Sequence, residues 1–137
     1  MADSAERSRV VWVRVPARPE AVQVVRAVVG SVASRMGFAY DAVDDLRLAT
    51  SEVVAHLLEE PPAPVDLVVR VADLSDAIEV EASRTSAVKN WPPTGARHSL
   101  TTLILRSLTD EAFFERGGLG PAIRFTKHHQ AGSTPNP

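Results

Sequence analysis

The chain reads as an α+β domain in two layers, a mostly antiparallel sheet covered by helices on one face. Three observations predict this. Segments alternating with period two and segments with apolar residues three and four apart follow one another in the order β-α-α-β-β-α-β-β. Two pairs of strands are consecutive and joined by short turn-like runs, DLSD and GGLG, which makes hairpins of them. With 137 residues, 45% of them hydrophobic, there is material for one packed core and no room for a second.

Each element has its own signal. In VVWVRV, Val11, Val13 and Val15 alternate with Val10, Trp12 and Arg14, and Pro16 ends the strand. Pro19 fits a first helical turn; Val22, Val25, Val29, Val32 and Met36 then share a face until Gly37 supplies a C-terminal stop. Asp41 is the expected N-cap of a second helix, whose Val43, Leu46, Thr50, Val53 and Leu57 fall on one side. PPAP at 61–64 closes it. VDLVVRV (65–71) and AIEVEAS (77–83) form the first hairpin. From Arg84 to His98 there is no periodicity, and Pro92, Pro93 and Gly95 mark a loop of a length that is usually functional or mobile. Ser99 is the expected cap of a third helix, LTTLILRSL, and EAFFER and PAIRFTK flank GGLG as the last hairpin. The expected division is a disordered N-terminus over 1–9, the domain over 10–128 and a disordered tail over 129–137.

Composition excludes several function classes. A formal charge of −2 is not the basic field of a generic nucleic-acid binder, so no direct nucleic-acid contact is expected. The absence of cysteine removes disulfides, thiolate zinc sites and thiol nucleophiles. No apolar run approaches the roughly 20 residues that span a bilayer, and MADSAERSR has no signal-peptide core, so a cytoplasmic protein without membrane contact is expected. Lysine occurs only at Lys89 and Lys127, an arginine bias that fits a GC-rich genome better than any function.

The residues able to carry chemistry lie mostly on the second helix. Asp45, Ala49, Glu52 and His56 form a stripe beside its apolar face. Glu52 could serve as a general base; equally, Glu52 and His56 could be a solvated pair worth a few tenths of a kcal/mol. Asp44, Asp45 and Arg47 read as a solvated face or as a patch that meets a basic partner. Trp91 could be a partner contact or could pack back on the sheet. GGLG at 117–120 is a hairpin turn rather than a phosphate loop. Glu52, His56, His98, His128 and His129 lack metal-motif spacing, and no metal site is expected.

The stretch VRVPARPEAVQVVRAVVGSVASRMGFAYDAVDDLRLATSEVV resembles the opening of the bacterial anti-sigma factors that are also serine kinases, within the Bergerat-fold (GHKL, histidine kinase-like) ATPase superfamily. The later LTTLILRSLTDEAFFERGGLGPAIRFTKH is similar to the last helix and hairpin of that family, including its Leu-x-Asp step at Leu108 and Asp110. The resemblance spans residues 10 to 128 and implies the Bergerat fold.

Position by position, the resemblance puts the family's base at Glu52, but its magnesium-binding Asn at His56, and an imidazole is a poor magnesium ligand. The family's adenine-gripping Asp-x-Gly would fall near Ser83 or Arg84, and no glycine occurs between Gly37 and Gly95. Its Gly-rich phosphate-approaching helix start becomes Ser99, Leu100, Thr101 and Thr102, and its strand-opening Gly-Thr becomes Gly120-Pro121. The resemblance therefore implies a regulator that holds an alternative sigma factor, meets an anti-anti-sigma antagonist of the STAS type and forms a homodimer. Its nucleotide boxes are degenerate and no cofactor is expected, with Glu52 a relic or a weak base. An active serine kinase using ATP and magnesium, and a scaffold or sensor outside sigma regulation, are the alternatives.

Overall fold

VVWVRV becomes β1 (Val10–Pro16), laid antiparallel on β2 (Asp66–Asp73) with Val11 opposite Val71, Val13 opposite Val69 and Val15 opposite Leu67. The structure is a computed structural model and describes residues 9–59, 64–86 and 91–129. β2 pairs with β3 (Ala77–Arg84), β3 with β5 (Gly120–His128), and β5 with β4 (Glu111–Gly117), all antiparallel, in the order β1-β2-β3-β5-β4. Period two sorts the side chains: Leu67, Val69, Val71, Ile78, Val80, Ala82, Ile123 and Phe125 face the helices and join the core. On the opposite face, Trp12, Arg70, Glu81, Arg124 and Phe113 stand in one cross-strand row.

Helix α1 (Ala21–Arg35) buries Val25, Val29 and Ala33. It begins after Glu20, so Pro19 precedes the helix rather than occupying its first turn. Gly37 has φ 89°, its N–H reaches Ser34 O at 3.1 Å, and the Phe38 N–H reaches Ala33 O at 3.1 Å, the Schellman closure expected of that glycine.

Helix α2 (Tyr40–Leu58) starts earlier than expected: Ala39, extended, is its N-cap, and Asp41 lies in the first turn, where its charge still suits the helix dipole. Helix α3 (Ala96–Leu108) also starts earlier, with Gly95 at its N-cap and Ser99 inside the first turn, so Ser99 is not a cap. The expected 84–98 loop shortens accordingly, because β3 keeps Arg84 and α3 takes 96–98. Of PPAP, 61–63 lie outside the described residues, as do 1–8 and 130–137 of the expected disordered ends. His128 ends the domain as expected, and His129, assigned to the tail, also packs on the fold. His128 closes β5, and the His129 ring meets Phe38 edge-on at 4.8 Å. Among the described residues no helix is long and apolar enough to cross a membrane.

Candidate functional site

Helix α2 runs antiparallel to α3: near its start Asp45 faces Lys127, which also holds Leu108 O at the end of α3, and further along Glu52 faces Thr101. The three- and four-residue spacing of Ala49, Glu52 and His56 turns that stripe toward α3 and away from water. Ala49 and His56 are buried and Glu52 is half-buried. The buried Thr101 hydroxyl donates to Glu52 Oε1 at 3.0 Å. The reading of Glu52 and His56 as a solvated pair is thereby overturned: each finds different neighbours, and His56 is only 5% exposed.

His56 sits in an aromatic enclosure. Its ring centroid lies 5.2 Å from Phe114, 5.8 Å from Trp91 and 6.4 Å from His98, and His98 is 4.4 Å from Phe114. Neither ring nitrogen is hydrogen-bonded among the described residues, and the approach of Nδ1 to Glu59 Oε2, 3.9 Å, is too long for one. Leaving a buried polar group unpaired costs about 1–3 kcal/mol. Aromatic pairs contribute about 0.5–1.5 kcal/mol each beyond burial, so the contacts around this ring offset that cost. Burial, and secondarily the neighbouring His56, hold His98 below its ordinary pKa of 6.5. Around the rim, Arg97 pairs with Glu59.

Trp91 takes one of its two readings: it packs back on the molecule, only 3% exposed. Its indole N–H donates to Glu115 O at 2.8 Å and Arg116 Nε donates to Trp91 O at 3.0 Å. As it stands, it presents no surface to a partner. Arg84 is also buried, with Nη1 donating to Leu57 O at 2.8 Å and Nε to Ser86 Oγ at 3.0 Å. A cation is thus placed on a carbonyl at the C-terminal end of α2, where the helix dipole favours it. The Ser99 N–H donates to Gly95 O at 3.0 Å, an ordinary bond of the first turn of α3.

Gly120 has φ 141°, and a Cβ there would stand 2.4 Å from Arg84 O and 2.8 Å from Ser86 O, so β5 opens hard against the end of β3. Asp44 and Arg47 pair at 3.6 Å, and the Arg47 guanidinium lies over Gly30 of α1. Asp45 pairs with Lys127 at 3.6 Å. These three are partly engaged within the fold rather than forming a wholly solvated face.

The structure brings together Glu52, His56, Thr101, Trp91 and, at the end of α2, Arg84. It keeps Asp44, Asp45 and Arg47 at the other end of that helix. No group of three or more metal-ligating side chains gathers among the described residues, and His128 and His129 lie away from His56. Sequence reasoning missed Phe114, Glu59 and Arg97. Phe114 had a signal in the alternation of EAFFER, whereas the pairing of Glu59 with Arg97 across two helices had none.

No protein-family model matches the chain. Among curated proteins it is similar to the serine-protein kinase RsbW of Bacillus cereus strain B4264, 33% identical over 82 residues that cover 57% of this chain and 50% of that protein. It is also similar to RsbW of Bacillus thuringiensis strain Al Hakam, 37% identical over 54 residues, 39% of this chain and 34% of that one. The chain spans about half the length of the curated relatives it matches, or less. Among solved structures it is similar to the RsbU and RsbW domains of Rv1364c from Mycobacterium tuberculosis, with a TM-score of 0.64 and 16% identity, covering 87% of this chain and 32% of that one. The resemblance read from the sequence is borne out, and the sandwich is the GHKL-type fold expected.

Proposed function

We propose, from the resemblance of this chain to RsbW-type serine-protein kinases, that it binds and inhibits an alternative sigma factor by protein–protein contact, without binding ATP or transferring phosphate. The observation that carries the second half is the filling of the site by its own side chains. Where the resemblance expects an Asn oxygen on magnesium, His56 is packed against Phe114 and Trp91. Where it expects a carboxylate on adenine, the Arg84 guanidinium is bonded to Leu57 O. Magnesium needs several hard oxygen ligands in an octahedron, and this set supplies the Glu52 carboxylate, already bonded to Thr101. Release of the sigma factor then rests on a STAS-type antagonist that competes for the same protein. In this reading the chain works as a homodimer in the cytoplasm, with no nucleic-acid or membrane contact of its own.

An active kinase is the second reading. It is favoured by the relatives' being serine-protein kinases and by Glu52, a half-buried carboxylate still in place to act as base. A scaffold or sensor outside sigma regulation is the third, separated from both by testing the host's sigma factors one at a time in transcription.

A thermal scan with millimolar ATP or ADP and magnesium decides between the first two. A ligand at about 100 times its Kd stabilises a folded protein by about 2.7 kcal/mol. For a domain of this size that is roughly 5–10 °C in Tm. The expected shift is below about 1 °C, with a relative that keeps the Asn and glycine boxes as the positive control. A clear nucleotide-dependent rise, with phosphoserine appearing on the antagonist and lost in Glu52→Ala, is the result that establishes the kinase instead.

A further inference from the structure

Among the described residues strand β1 is an edge, paired only with β2. Arg9 O accepts from Asp73 N at 2.9 Å at one end, and Ala17 N donates to Val65 O at 3.0 Å at the other. Alternation along an antiparallel ladder therefore aims the backbone groups of the odd-numbered residues at β2 and leaves those of Val10, Trp12 and Arg14 on the outer edge. Edges are ordinarily blunted with lysine, proline or a bulge, and VVWVRV carries no lysine and no proline before Pro16.

Beside this edge a cavity of about 290 Å³ opens between β1, the end of α1 and the end of β2, lined by Arg9, Val11, Val32, Arg35, Met36 and Asp73. Three apolar side chains make its walls, and two guanidinium groups face one carboxylate. Asp73 Oδ1 accepts from Ser75 N at 2.8 Å and Arg9 donates to Ser75 Oγ. Arg35, exposed in the last turn of α1, has no side-chain hydrogen bond or ion pair among the described residues. The volume lies at the lower end of ligand pockets, enough to seat side chains rather than a cofactor.

We propose that β1 and the end of α1 form a docking groove for an extended acidic segment of a partner protein, which adds to the sheet as a further strand beside β1. Val10, Trp12 and Arg14 supply the main-chain hydrogen bonds of strand addition. Period two sends every other partner side chain to the face of Arg9 and Val11, where apolar ones meet Val11, Val32 and Met36 and a carboxylate meets Arg35 and Arg9. The charge balance selects an acidic segment over a second copy of this chain, whose own β1 region would bring Arg9 and Arg14 and no acid. The groove is independent of the α2–α3 site, so this inference stands or falls apart from the nucleotide question.

The probe is a fluorescein-labelled, end-capped peptide with Thr at every second position and Val and Glu taking turns at the positions between, so that both share one face of the strand, titrated with the full chain at low salt and followed by anisotropy. Saturable binding is expected, weakened at least about tenfold when Lys replaces Glu in the peptide and in the variant Arg35→Glu. Trp12→Pro removes one outward N–H at a position where edge strands tolerate proline, and should abolish binding that Trp12→Val retains. Should Trp12→Pro fail to fold, a peptide N-methylated at alternate residues reads the same hydrogen bonds on the unaltered protein. Equal binding of the Lys peptide, or indifference to both Trp12→Pro and N-methylation, would overturn the proposal. So would sedimentation showing a dimer that Trp12→Pro converts to monomer, since the edge would then belong to a second copy.

Discussion

Gly120 shows how one residue can couple two strands. Its φ of 141° suits glycine alone, and the atoms a methyl group would meet are the Arg84 and Ser86 carbonyl oxygens, which belong to the backbone and cannot swing aside. Gly120→Ala is therefore expected to cost about 2–3 kcal/mol, seen as a lower urea midpoint at unchanged m-value. An unchanged midpoint would mean that the end of β3 yields more readily than its place in the sheet implies.

His98 supplies a pH signature at the same scale. Burial and the nearby His56 depress its pKa in the folded chain, while the unfolded chain keeps the ordinary 6.5. Below pH 6.5 the unfolded state then binds more protons, so this residue's contribution is complete above 6.5 and declines as pH falls toward the folded value. Comparing Tm at pH 7.5 and 5.5 in the native chain and in His98→Gln, the variant should lose less on acidification. An equal loss in both would remove His98 from the pH response.

Among the elements, α3 is the most weakly anchored helix. Thirteen residues long, it buries only Thr101 and Leu105, whereas α2 buries eight residues. Leu105 is completely buried, and its truncation to Ala should cost about 2–5 kcal/mol. Because so few α3 side chains reach the core, the loss should fall on the docking of that helix. Amide exchange in Leu105→Ala is expected to quicken along α3 and near Glu52 while β2 and β3 remain protected. Uniform acceleration across the sheet would show instead that α3 melts only with the whole fold.

For the whole molecule, a single core runs from Val25 and Val29 of α1 through Leu46 and Val53 of α2 to Val69, Val80 and Phe125 of the central strands. One shared core predicts one cooperative transition. Tryptophan emission should report it chiefly through the buried Trp91, since Trp12 is 62% exposed, and should coincide with far-UV circular dichroism in urea. If the Trp91 signal moved first, its seat over His56 would be a separate unit of stability.

Element order, the antiparallel sheet and the glycine stop of α1 were determined by the sequence alone, because each rests on local periodicity or on one residue's backbone freedom, as at Gly37. The same local reading misplaced the starts of α2 and α3. Ala39 and Gly95 cap those helices by conformation, without the side-chain oxygen that Asp41 and Ser99 advertise. What only the tertiary structure decided was the surroundings of the marked residues. Spacing puts Glu52 and His56 on one stripe, yet whether that stripe meets water, a nucleotide or aromatic rings depends on Trp91 and Phe114, which arrive from elements far along the chain. Burial and ring contact are sums over residues distant in sequence, and no local pattern carries that sum.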